Sequence, residues 1–499
     1  MPEKQKKTRP AQPPKKTAKR KNTKHTGHYS ANRPEIVATS CFFGLLFTVL
    51  IGYLGYFAAT SQEEMINNSY NSRQELLLSR NYRGTIYSKD GEILADTQVD
   101  RDQNESRVYP YGKLFAHAVG YATKGRTGVE SLANYYLINT STSLANKAAN
   151  DAAGIKNPGD NVYTTLDVNL QQVADSQLNI YKGAIVVTEV STGKILAMVS
   201  HPNFDPNEID QIWDSIMEDE DSSILLNRVT QGQYPPGSTF KIITALEYIR
   251  ENPDSYSDYS YTCTGRFSAD TGRINCYRGT VHGQVDFTDS FAKSCNASFA
   301  NIGTSLDQAA FEKTLDGLLF NQALPLDIPY SESKANVVDK VSMNELMQTS
   351  IGQGKTQISP IHLNMITSAI AYGGVLMKPY LVDHVENDAG RTVKSYQPEA
   401  FGSLMSRDEA DLLKALMEDV VKEGTGRKLS GLSYTAAGKT GSAEYNDKKE
   451  DSHAWFTGFA PVEEPEICVT IIVEGAGSGS DYAVPIAKNI FDAYFDKEE

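Results

Sequence analysis

The sequence predicts an α+β domain over residues 159–499, tethered by one transmembrane helix near the amino terminus. The domain is predicted because amphipathic helical patterns alternate with neighbouring strand-like runs, as in helices packed on an antiparallel sheet. The tether is predicted because residues 36–59 contain no charged side chain. A helix of that length extends about 36 Å, which is enough to cross a bilayer core of about 30 Å.

The amino-terminal segments predict a membrane protein whose larger part lies outside the cytoplasm. Residues 1–34 contain 11 Lys or Arg residues and one acid, and the predicted anchor at residues 35–60 follows directly. Positive charge beside a span favours the cytoplasmic side, so residues 1–34 are predicted to be a cytoplasmic tail. The apolar core of a cleaved signal peptide is shorter, with about 7–15 residues. The position of the basic tail beside the anchor argues against nucleic-acid binding.

Residues 61–158 predict a stalk, or pedestal, domain without catalytic chemistry. A polar helical pattern follows the anchor, and Asp90-Gly91 between alternating segments predicts a hairpin. Polar loops and short helical pieces make up the rest. This composition is typical of a spacer or interaction module.

Residues 159–499 contain the elements of the α+β domain. An amphipathic helix precedes a hairpin whose turn is predicted at residues 191–194, and a later helix has Ser359 as its N-cap and Pro360 at its first position. Three strand-like runs and a closing helix follow. The segments are, in order, DVNLQQVADSQL, GAIVVTEVSTGKILAMVS, SPIHLNMITSAIAYGG, TAAGKTGSAEY, HAWFTGFAPV, EICVTIIVEGA and AVPIAKNIFDAYF.

The five cysteines suggest one disulfide and no metal site. Cys263 and Cys276 bracket a segment that resembles a hairpin, in a compartment where disulfides persist, so we hypothesise a disulfide between them. The sequence contains no C-x-x-C pair, H-E-x-x-H or other metal-ligand spacing. Accordingly, neither a metal nor a cofactor is expected.

The segment YPPGSTFKIITALEYI places Ser238 and Lys241 at the start of a predicted helix. Two prolines and a glycine end the preceding segment, and apolar residues then recur at three- and four-residue steps. Ser238 and Lys241 therefore share one helix face. Taken alone, this pair is explained equally well as an ordinary N-cap serine with a solvated lysine or as a nucleophile with its base. The spacing does not decide between them, because S-x-x-K occurs three more times in the sequence. The other copies begin at Ser191, predicted in a turn, and at Ser290 and Ser331, predicted as surface coincidences.

Two downstream motifs distinguish Ser238 from the other serines. Ser294-Cys295-Asn296 lies in a helical context, and Lys439-Thr440-Gly441 lies at the start of a strand-like run. Each motif alone has an ordinary explanation as a cap or a strand end. The ordered set S-x-x-K, S-x-N and K-T-G is rare by chance, and it is the signature of penicillin-binding proteins and related β-lactamases.

Acyl-transfer chemistry suggests a role for the first two motifs. A serine hydroxyl is a poor nucleophile until a base removes its proton, and Lys241, desolvated against an apolar helix, is the predicted base for Ser238. Ser294 is predicted to relay a proton. Asn296 is predicted to hold the lysine and a substrate amide by hydrogen bonds.

The third motif is predicted to bind the substrate. Lys439 supplies positive charge near the oxyanion and an anionic substrate, and Thr440 binds a carboxylate. Gly441 lets the strand backbone approach the substrate closely. The N–H groups of Ser238 and Ser442 are the predicted oxyanion hole.

With these motifs in place, the sequence resembles the class B penicillin-binding proteins, and its short stalk is most similar to PbpA-type members. The resemblance covers nearly all of the predicted outer part, and it implies a penicillin-binding transpeptidase domain with the serine β-lactamase-like fold. It is carried by RGTIYSKDGEILA, GRTGVE, YPPGSTFK, SIGQGKTQISP, KTGSAEY and HAWFTGFAP.

The resemblance implies a monofunctional D,D-transpeptidase that cross-links peptidoglycan. The D-Ala-D-Ala end of a stem peptide would acylate Ser238, and an amine of a neighbouring stem would resolve the acyl-enzyme. β-Lactams mimic that end and are expected to trap Ser238. The resemblance also implies a membrane-embedded SEDS-family glycan polymerase as a partner, contacted through the span and the stalk.

Three alternatives remain open. A D,D-carboxypeptidase uses the same residues with water as acceptor. A β-lactamase is disfavoured because Cys295 stands where class A enzymes have aspartate, and a β-lactam sensor would need a folded cytoplasmic effector that the tail does not offer. A non-catalytic scaffold of a division or elongation complex usually loses a motif residue, whereas all are intact here. His453, two residues before Trp455, is a further candidate for a catalytic residue. This role is disfavoured because the serine mechanism already has a base.

Overall fold

The structure is a computed structural model that describes residues 34–60, 73–102, 104–269, 272–337, 341–444 and 452–496. The chain divides into two compact units, Met1–Glu63 and Glu64–Glu499. In the first unit, helix α1 spans Pro34–Thr60. Among the described residues, α1 is the one helix long and apolar enough to cross a membrane, with a mean hydropathy of 2.1 over Pro34–Phe57. The predicted basic tail lies outside the described residues, apart from its last position.

The second unit combines short elements near its amino-terminal end with longer ones in the rest of the chain. Its α-helices are α2 Arg73–Arg80, α3 Gly128–Leu132, α4 Asn134–Ile138, α5 Leu144–Ala153, α6 Val168–Leu178, α7 Ile209–Glu218, α8 Lys241–Glu251, α9 Phe287–Ala292, α10 Asn296–Ser305, α11 Gln308–Gly317, α12 Met343–Ser350, α13 Pro360–Ala371, α14 Arg407–Lys422 and α15 Ala483–Phe495. Its strands are β1 Asn81–Tyr82, β2 Ile86–Tyr87, β3 Ile93–Val99, β4 Glu105–Val108, β5 Asn157–Pro158, β6 Asn161–Thr164, β7 Gly183–Glu189, β8 Ile195–His201, β9 Ser260–Cys263, β10 Arg266–Ala269, β11 Gly272–Asn275, β12 Gly283–Asp286, β13 Val375–Met377, β14 Val382–Glu386, β15 Thr392–Ser395, β16 Ala400–Ser403, β17 Ala437–Glu444, β18 Ser452–Ala460 and β19 Ile467–Val473. Single 3₁₀ turns lie at Gly112–Phe115, Pro206–Glu208, Gly237–Phe240, Tyr256–Asp258, Tyr277–Gly279 and Arg427–Leu429.

A five-stranded antiparallel sheet with the order β17-β18-β19-β7-β8 forms the centre of residues 159–499. Successive side chains of a strand point to opposite faces, and both faces of this sheet are covered. Ala184 and Val186 face the core that contains α13, whereas Ile185 and Val187 face the core that contains α6 and α15. Because both faces are buried, the sequences of these strands are almost continuously apolar instead of alternating between apolar and polar residues. The prediction of an α+β domain with helices on an antiparallel sheet is confirmed.

The pedestal is built around a six-stranded sheet with the order β15-β14-β6-β2-β3-β4. Strands β2 and β3 form the predicted hairpin at Gly91, whose φ is +85°. Strands β14 and β15 come from far downstream in the chain, so the sheet contains segments from both sides of the predicted boundary at residues 158 and 159. That boundary stays a prediction.

A buried ion-pair network fixes the pedestal. Glu130 has no solvent exposure, and its two carboxylate oxygens accept hydrogen bonds from Arg83 Nε at 2.6 Å and Arg107 Nε at 2.7 Å. The hydroxyl of Tyr109 donates to the same carboxylate at 3.1 Å. A buried charge with this many partners is satisfied only while all of them are present.

The hypothesised disulfide between Cys263 and Cys276 is not formed in the structure. Both residues are thiols, and their Sγ atoms lie 3.6 Å apart, compared with about 2.05 Å in a disulfide. Cys276 Sγ also lies 3.8 Å from Cys295 Sγ. The Cys276 sulfur therefore has two sulfur neighbours rather than one covalent partner.

Candidate active site

The segment that carries Ser238 is held tightly between two neighbouring segments. Ser238 lies in the 3₁₀ turn Gly237–Phe240, which runs directly into α8. Gly237 has a φ of +54°, and a Cβ atom there would lie 2.9 Å from the carbonyl oxygen of Ser442 on β17. On the other side, the Gly237 N–H donates to the Gly352 carbonyl oxygen at 2.9 Å. Glycine at position 237 is therefore required by both backbone conformation and space.

Lys241 connects the first motif to the second. Its side chain is fully buried at the start of α8, and Nζ lies 3.0 Å from Ser238 Oγ. Nζ also donates to the Ser294 carbonyl oxygen at 2.8 Å and to Asn296 Oδ1 at 2.7 Å. The Ser294 hydroxyl lies 3.1 Å from the same nitrogen. Lys241 is therefore a desolvated amine in contact with the Ser238 hydroxyl.

The S-x-N motif lies at the turn between α9 and α10. Ser294 has a φ of +55°, a left-handed conformation that is costly for a residue with a Cβ atom. This turn directs both its carbonyl oxygen and its hydroxyl toward Lys241. Cys295 is the N-cap of α10, and the Asn296 amide donates to the Asn275 carbonyl oxygen at 3.1 Å.

The K-T-G motif lies on β17, an edge strand of the central sheet. Lys439 is fully buried, and its Nζ donates to Ser294 Oγ at 3.0 Å. Thr440 Oγ1 lies 2.5 Å from Thr425 Oγ1. A Cβ atom at Gly441 would lie 3.0 Å from the Pro236 carbonyl oxygen, so this strand passes close to the nucleophile segment.

The structure thus brings the three motifs to one place. Ser238, Lys241, Ser294, Asn296 and Lys439 form one continuous hydrogen-bonded group. The remaining predicted site residues, Thr440, Gly441 and Ser442, follow Lys439 on β17.

Burial determines the electrostatics of the two lysines. Desolvation lowers the pKa of Lys241 to about 7, although the nearby Cys295 and Cys276 partly oppose the effect. Desolvation also lowers the pKa of Lys439, and repulsion by Lys241 lowers it further. Two ammonium groups that share the Ser294 hydroxyl are unfavourable in a buried site. The pair therefore contains a neutral amine near neutral pH, which a general base requires.

A cleft of about 550 Å³ lies beside the motifs, and its lining includes residues that sequence reasoning missed. Thr425, in the loop after α14, contacts Thr440, and Ser480 donates to the Thr425 carbonyl oxygen at 2.7 Å. Neither residue belongs to a recognisable motif. The lining residues are Lys293, Glu423, Gly424, Thr425, Arg427, Lys428, Ser480 and Asp481.

The other S-x-x-K copies have no comparable surroundings. The Ser191 copy lies in the β7–β8 turn, where Lys194 pairs with Asp383. The prediction that Ser290 is a surface residue is wrong, because Ser290 is fully buried and accepts a hydrogen bond from the Ser298 hydroxyl at 2.7 Å. His453 is buried on β18, and its Nδ1 accepts a hydrogen bond from the Gly475 N–H at 3.2 Å.

Family models agree with this geometry. The model described as the penicillin binding protein transpeptidase domain matches residues 183–492. The chain belongs to this family. A second model, the penicillin binding protein A dimerisation domain, matches residues 83–162 of the pedestal.

Known relatives refine the assignment within the family. Peptidoglycan D,D-transpeptidase PbpA of Mycolicibacterium smegmatis is 29% identical over 433 residues, which cover 81% of this chain and 87% of the relative. Peptidoglycan D,D-transpeptidase MrdA of Acinetobacter baumannii is 30% identical over 448 residues, covering 78% of this chain and 66% of the relative. The structure of penicillin-binding protein A from M. tuberculosis as an imipenem acyl-enzyme complex superposes with a TM-score of 0.76 at 27% identity, covering 83% of this chain and 99% of that chain. The predictions of a class B penicillin-binding protein, its transpeptidase fold and a serine acyl transferase are confirmed.

Proposed function

We propose that this penicillin-binding protein cross-links peptidoglycan stem peptides as a D,D-transpeptidase, through an acyl-enzyme on Ser238, and that β-lactams acylate the same serine. The observation that carries the proposal is the contact between the buried Lys241 amine and Ser238 Oγ at 3.0 Å. With the amine neutral, this contact provides a path for the hydroxyl proton to Nζ as Oγ becomes the nucleophile.

In the acylation step, Ser238 Oγ attacks the carbonyl carbon of the penultimate D-Ala residue. The bond to the terminal D-Ala nitrogen then breaks, and that nitrogen leaves with the proton that Lys241 accepted. Ser294 Oγ lies within 3.1 Å of both lysine amines, so it can relay this proton. In the second step, an amine of a neighbouring stem attacks the ester, loses a proton along the same path and releases Ser238.

Substrate binding is assigned to β17 and the adjacent cleft. Lys439 offers positive charge and Thr440 a hydroxyl for the carboxylate of the donor peptide, and the N–H groups of Ser238 and Ser442 are proposed as the oxyanion hole. Asn296 is proposed to hold the substrate amide as well as Lys241. No cofactor takes part in this mechanism.

Covalent labelling of the full chain with a fluorescent penicillin tests the nucleophile. Ser238→Ala is expected to abolish labelling, whereas Ser331→Ala, at another S-x-x-K copy, is expected to label normally. Thermal melting of both variants checks that the fold is intact. Persistent labelling of a folded Ser238→Ala protein would mean that a different serine is the nucleophile.

Reaction products test the transpeptidase assignment. With lipid-linked stem peptides and glycan polymerase present, cross-linked dimers are expected. Release of D-alanine alone would indicate a carboxypeptidase, and rapid nitrocefin turnover would indicate a β-lactamase. Absence of labelling and products in the intact chain would favour a non-catalytic scaffold.

We also propose that residues 35–60 are a single-pass anchor, with residues 1–34 in the cytoplasm and with the pedestal and the catalytic part, residues 61–158 and 159–499, outside. The uncharged stretch at residues 36–59 and the basic tail beside it support this topology. A SEDS-family glycan polymerase is the proposed membrane partner, contacted through the span and the pedestal. Reporter fusions at each end of the chain test the topology, and co-purification with the polymerase, before and after exchange of α1 for an unrelated span, tests the contact.

A further inference from the structure

Four side chains with metal-ligating atoms meet beside the S-x-N motif. Cys263 ends β9, Cys276 follows β11, His282 precedes β12, and Cys295 caps α10. One ligand atom from each residue lies within 4.8 Å of every other. We name this group the Cys₃His cluster. Three of its residues lie at or next to the ends of different strands, and the fourth lies at the amino-terminal end of α10.

The distances within the Cys₃His cluster are those of ligands around one small ion. The Sγ atoms of Cys263 and Cys276 are 3.6 Å apart, and those of Cys276 and Cys295 are 3.8 Å apart. Cys263 Sγ lies 3.4 Å from His282 Nδ1. A tetrahedral zinc ion with Zn–S bonds of about 2.3 Å and Zn–N bonds of about 2.0 Å separates its sulfur ligands by about 3.8 Å and a sulfur from a nitrogen by about 3.5 Å.

The surroundings of the sulfur atoms favour thiolates. Each sulfur accepts a backbone N–H at 3.4 Å, from Gly265, Ala297 and Ser298 respectively for Cys263, Cys276 and Cys295. Hydrogen bonds of this kind orient and stabilise metal-bound thiolates. The three cysteines are at most 3% exposed, with Tyr261 and Phe267 packed around them. Buried thiolates without a cation would be costly.

We propose that Cys263, Cys276, His282 and Cys295 bind one structural Zn²⁺ ion. Three thiolates and one imidazole complete a tetrahedral shell, which leaves no open position for substrate, so the ion has a structural role. Motif spacing did not reveal the set, because the two outer separations are 12 residues each and the middle pair, separated by five residues, joins a cysteine to a histidine rather than forming a C-x-x-C or H-x-x-x-H pair. The expectation that the chain has no metal site would then be wrong.

The ion would fix the S-x-N motif directly. Cys295 stands between Ser294 and Asn296, and Asn296 donates to the carbonyl oxygen of Asn275, the neighbour of Cys276. The cluster therefore anchors both sides of the turn that presents three hydrogen-bond acceptors to Lys241. We infer that zinc is a positioning element for this turn, an inference that rests on the proposed function.

Metal analysis of the full-length protein in detergent tests the site without reference to activity. Purified without added metal and with chelator-free buffers, the protein is expected to contain about one zinc per chain, and X-ray absorption is expected to show three sulfur ligands and one nitrogen ligand. Cys276→Ser and His282→Ala are expected to lose most of the zinc. Cys468→Ala, at a buried cysteine outside the cluster, is expected to retain it. Wild-type protein without stoichiometric zinc, or with a Cys263–Cys276 disulfide found by mass spectrometry, would overturn the site.

Chelation of the wild-type protein tests the positioning role. Zinc removal under reducing conditions is expected to lower the thermal midpoint by more than about 10 °C and to slow fluorescent-penicillin labelling at least tenfold, and added Zn²⁺ is expected to restore both. Unchanged labelling after full zinc loss would overturn the positioning role but not the site. A failure of Ser238 to label under any condition would instead contradict the proposed function, since the zinc content does not depend on acylation.

Discussion

The rate of β-lactam acylation is expected to follow the ionisation of Lys241. Burial lowers the pKa of this lysine to about 7, whereas an exposed lysine has a pKa of about 10.4. At pH 7, about half of the Lys241 amines are therefore neutral, compared with roughly one in 2,500 for an exposed lysine. Since only the neutral amine accepts the Ser238 proton, burial increases the available base about a thousandfold.

The pH dependence follows from these fractions. Below pH 7 the amine gains a proton and ceases to be a base, so the second-order rate constant for acylation falls as pH decreases. The neutral fraction is about one in eleven at pH 6 and about one in a hundred at pH 5. The rate constant is therefore expected to fall about fivefold from pH 7 to pH 6 and about 50-fold from pH 7 to pH 5, and to rise only about twofold above pH 7. Because Lys439 is buried against the same hydroxyl, the observed midpoint belongs to the pair.

Stopped-flow measurement with nitrocefin or a fluorescent penicillin between pH 5 and pH 9, at constant ionic strength, gives the profile. Circular dichroism at each pH verifies that the protein is folded. Lys334→Ala, which changes an exposed lysine in another S-x-x-K copy, is expected to leave the profile unchanged. Lys241→Arg, which keeps a permanent charge, is expected to abolish acylation throughout. A rate constant that is flat from pH 5 to pH 7 would refute Lys241 as the base.

Two substitutions test the packing around the site and the pedestal. Gly237→Ala is expected to lower the free energy of unfolding by about 1–3 kcal/mol and to slow acylation, because the new methyl group would approach the Ser442 carbonyl oxygen at 2.9 Å. Gly154→Ala, at a φ of +67° with no atom within 4 Å, is the control and is expected to label normally, so equal loss of labelling in both would contradict the argument. Glu130→Gln is expected to cost about 3–5 kcal/mol in chemical denaturation, because it leaves two buried guanidinium groups without their carboxylate. The control Glu464→Gln, at an exposed carboxylate, is expected to leave the denaturation midpoint unchanged. A similarly small effect at Glu130 would show that the network is dispensable.

The sequence predicts the catalytic motifs because each is a local pattern. Ser238 and Lys241 are one helical turn apart, so the 3₁₀ turn that runs into α8 brings them together without any distant segment. Lys439 and Thr440 are recognisable because they lie in one strand-like run. Their meeting with Ser294 was inferred from the order of the motifs, and the structure shows the hydrogen bonds that join them.

Features that depend on distant segments were not predicted from the sequence. Thr425 contacts Thr440 because the loop after α14 lies against β17. No pattern in the sequence predicts that contact. Cys263 and Cys276 were predicted as a pair because they bracket a short hairpin-like segment. Cys295 lies beside them in the structure, but it belongs to a later segment, at the start of α10, and the hairpin pattern does not include it. In both cases the decisive neighbour is separated in sequence from the group it completes.

Because the pedestal sheet contains strands from both parts of the chain, residues 159–499 cannot be separated from the preceding residues without disrupting this sheet. Strand β6 lies between β2, which precedes it in the chain, and β14, which lies more than 200 residues later. A fragment that begins at residue 159 would keep β6, β14 and β15 but lose β2, and the bared edge of β6 would invite pairing between molecules. Soluble fragments for crystallography or inhibitor screening should therefore begin before β1, so that both halves of the sheet are made together.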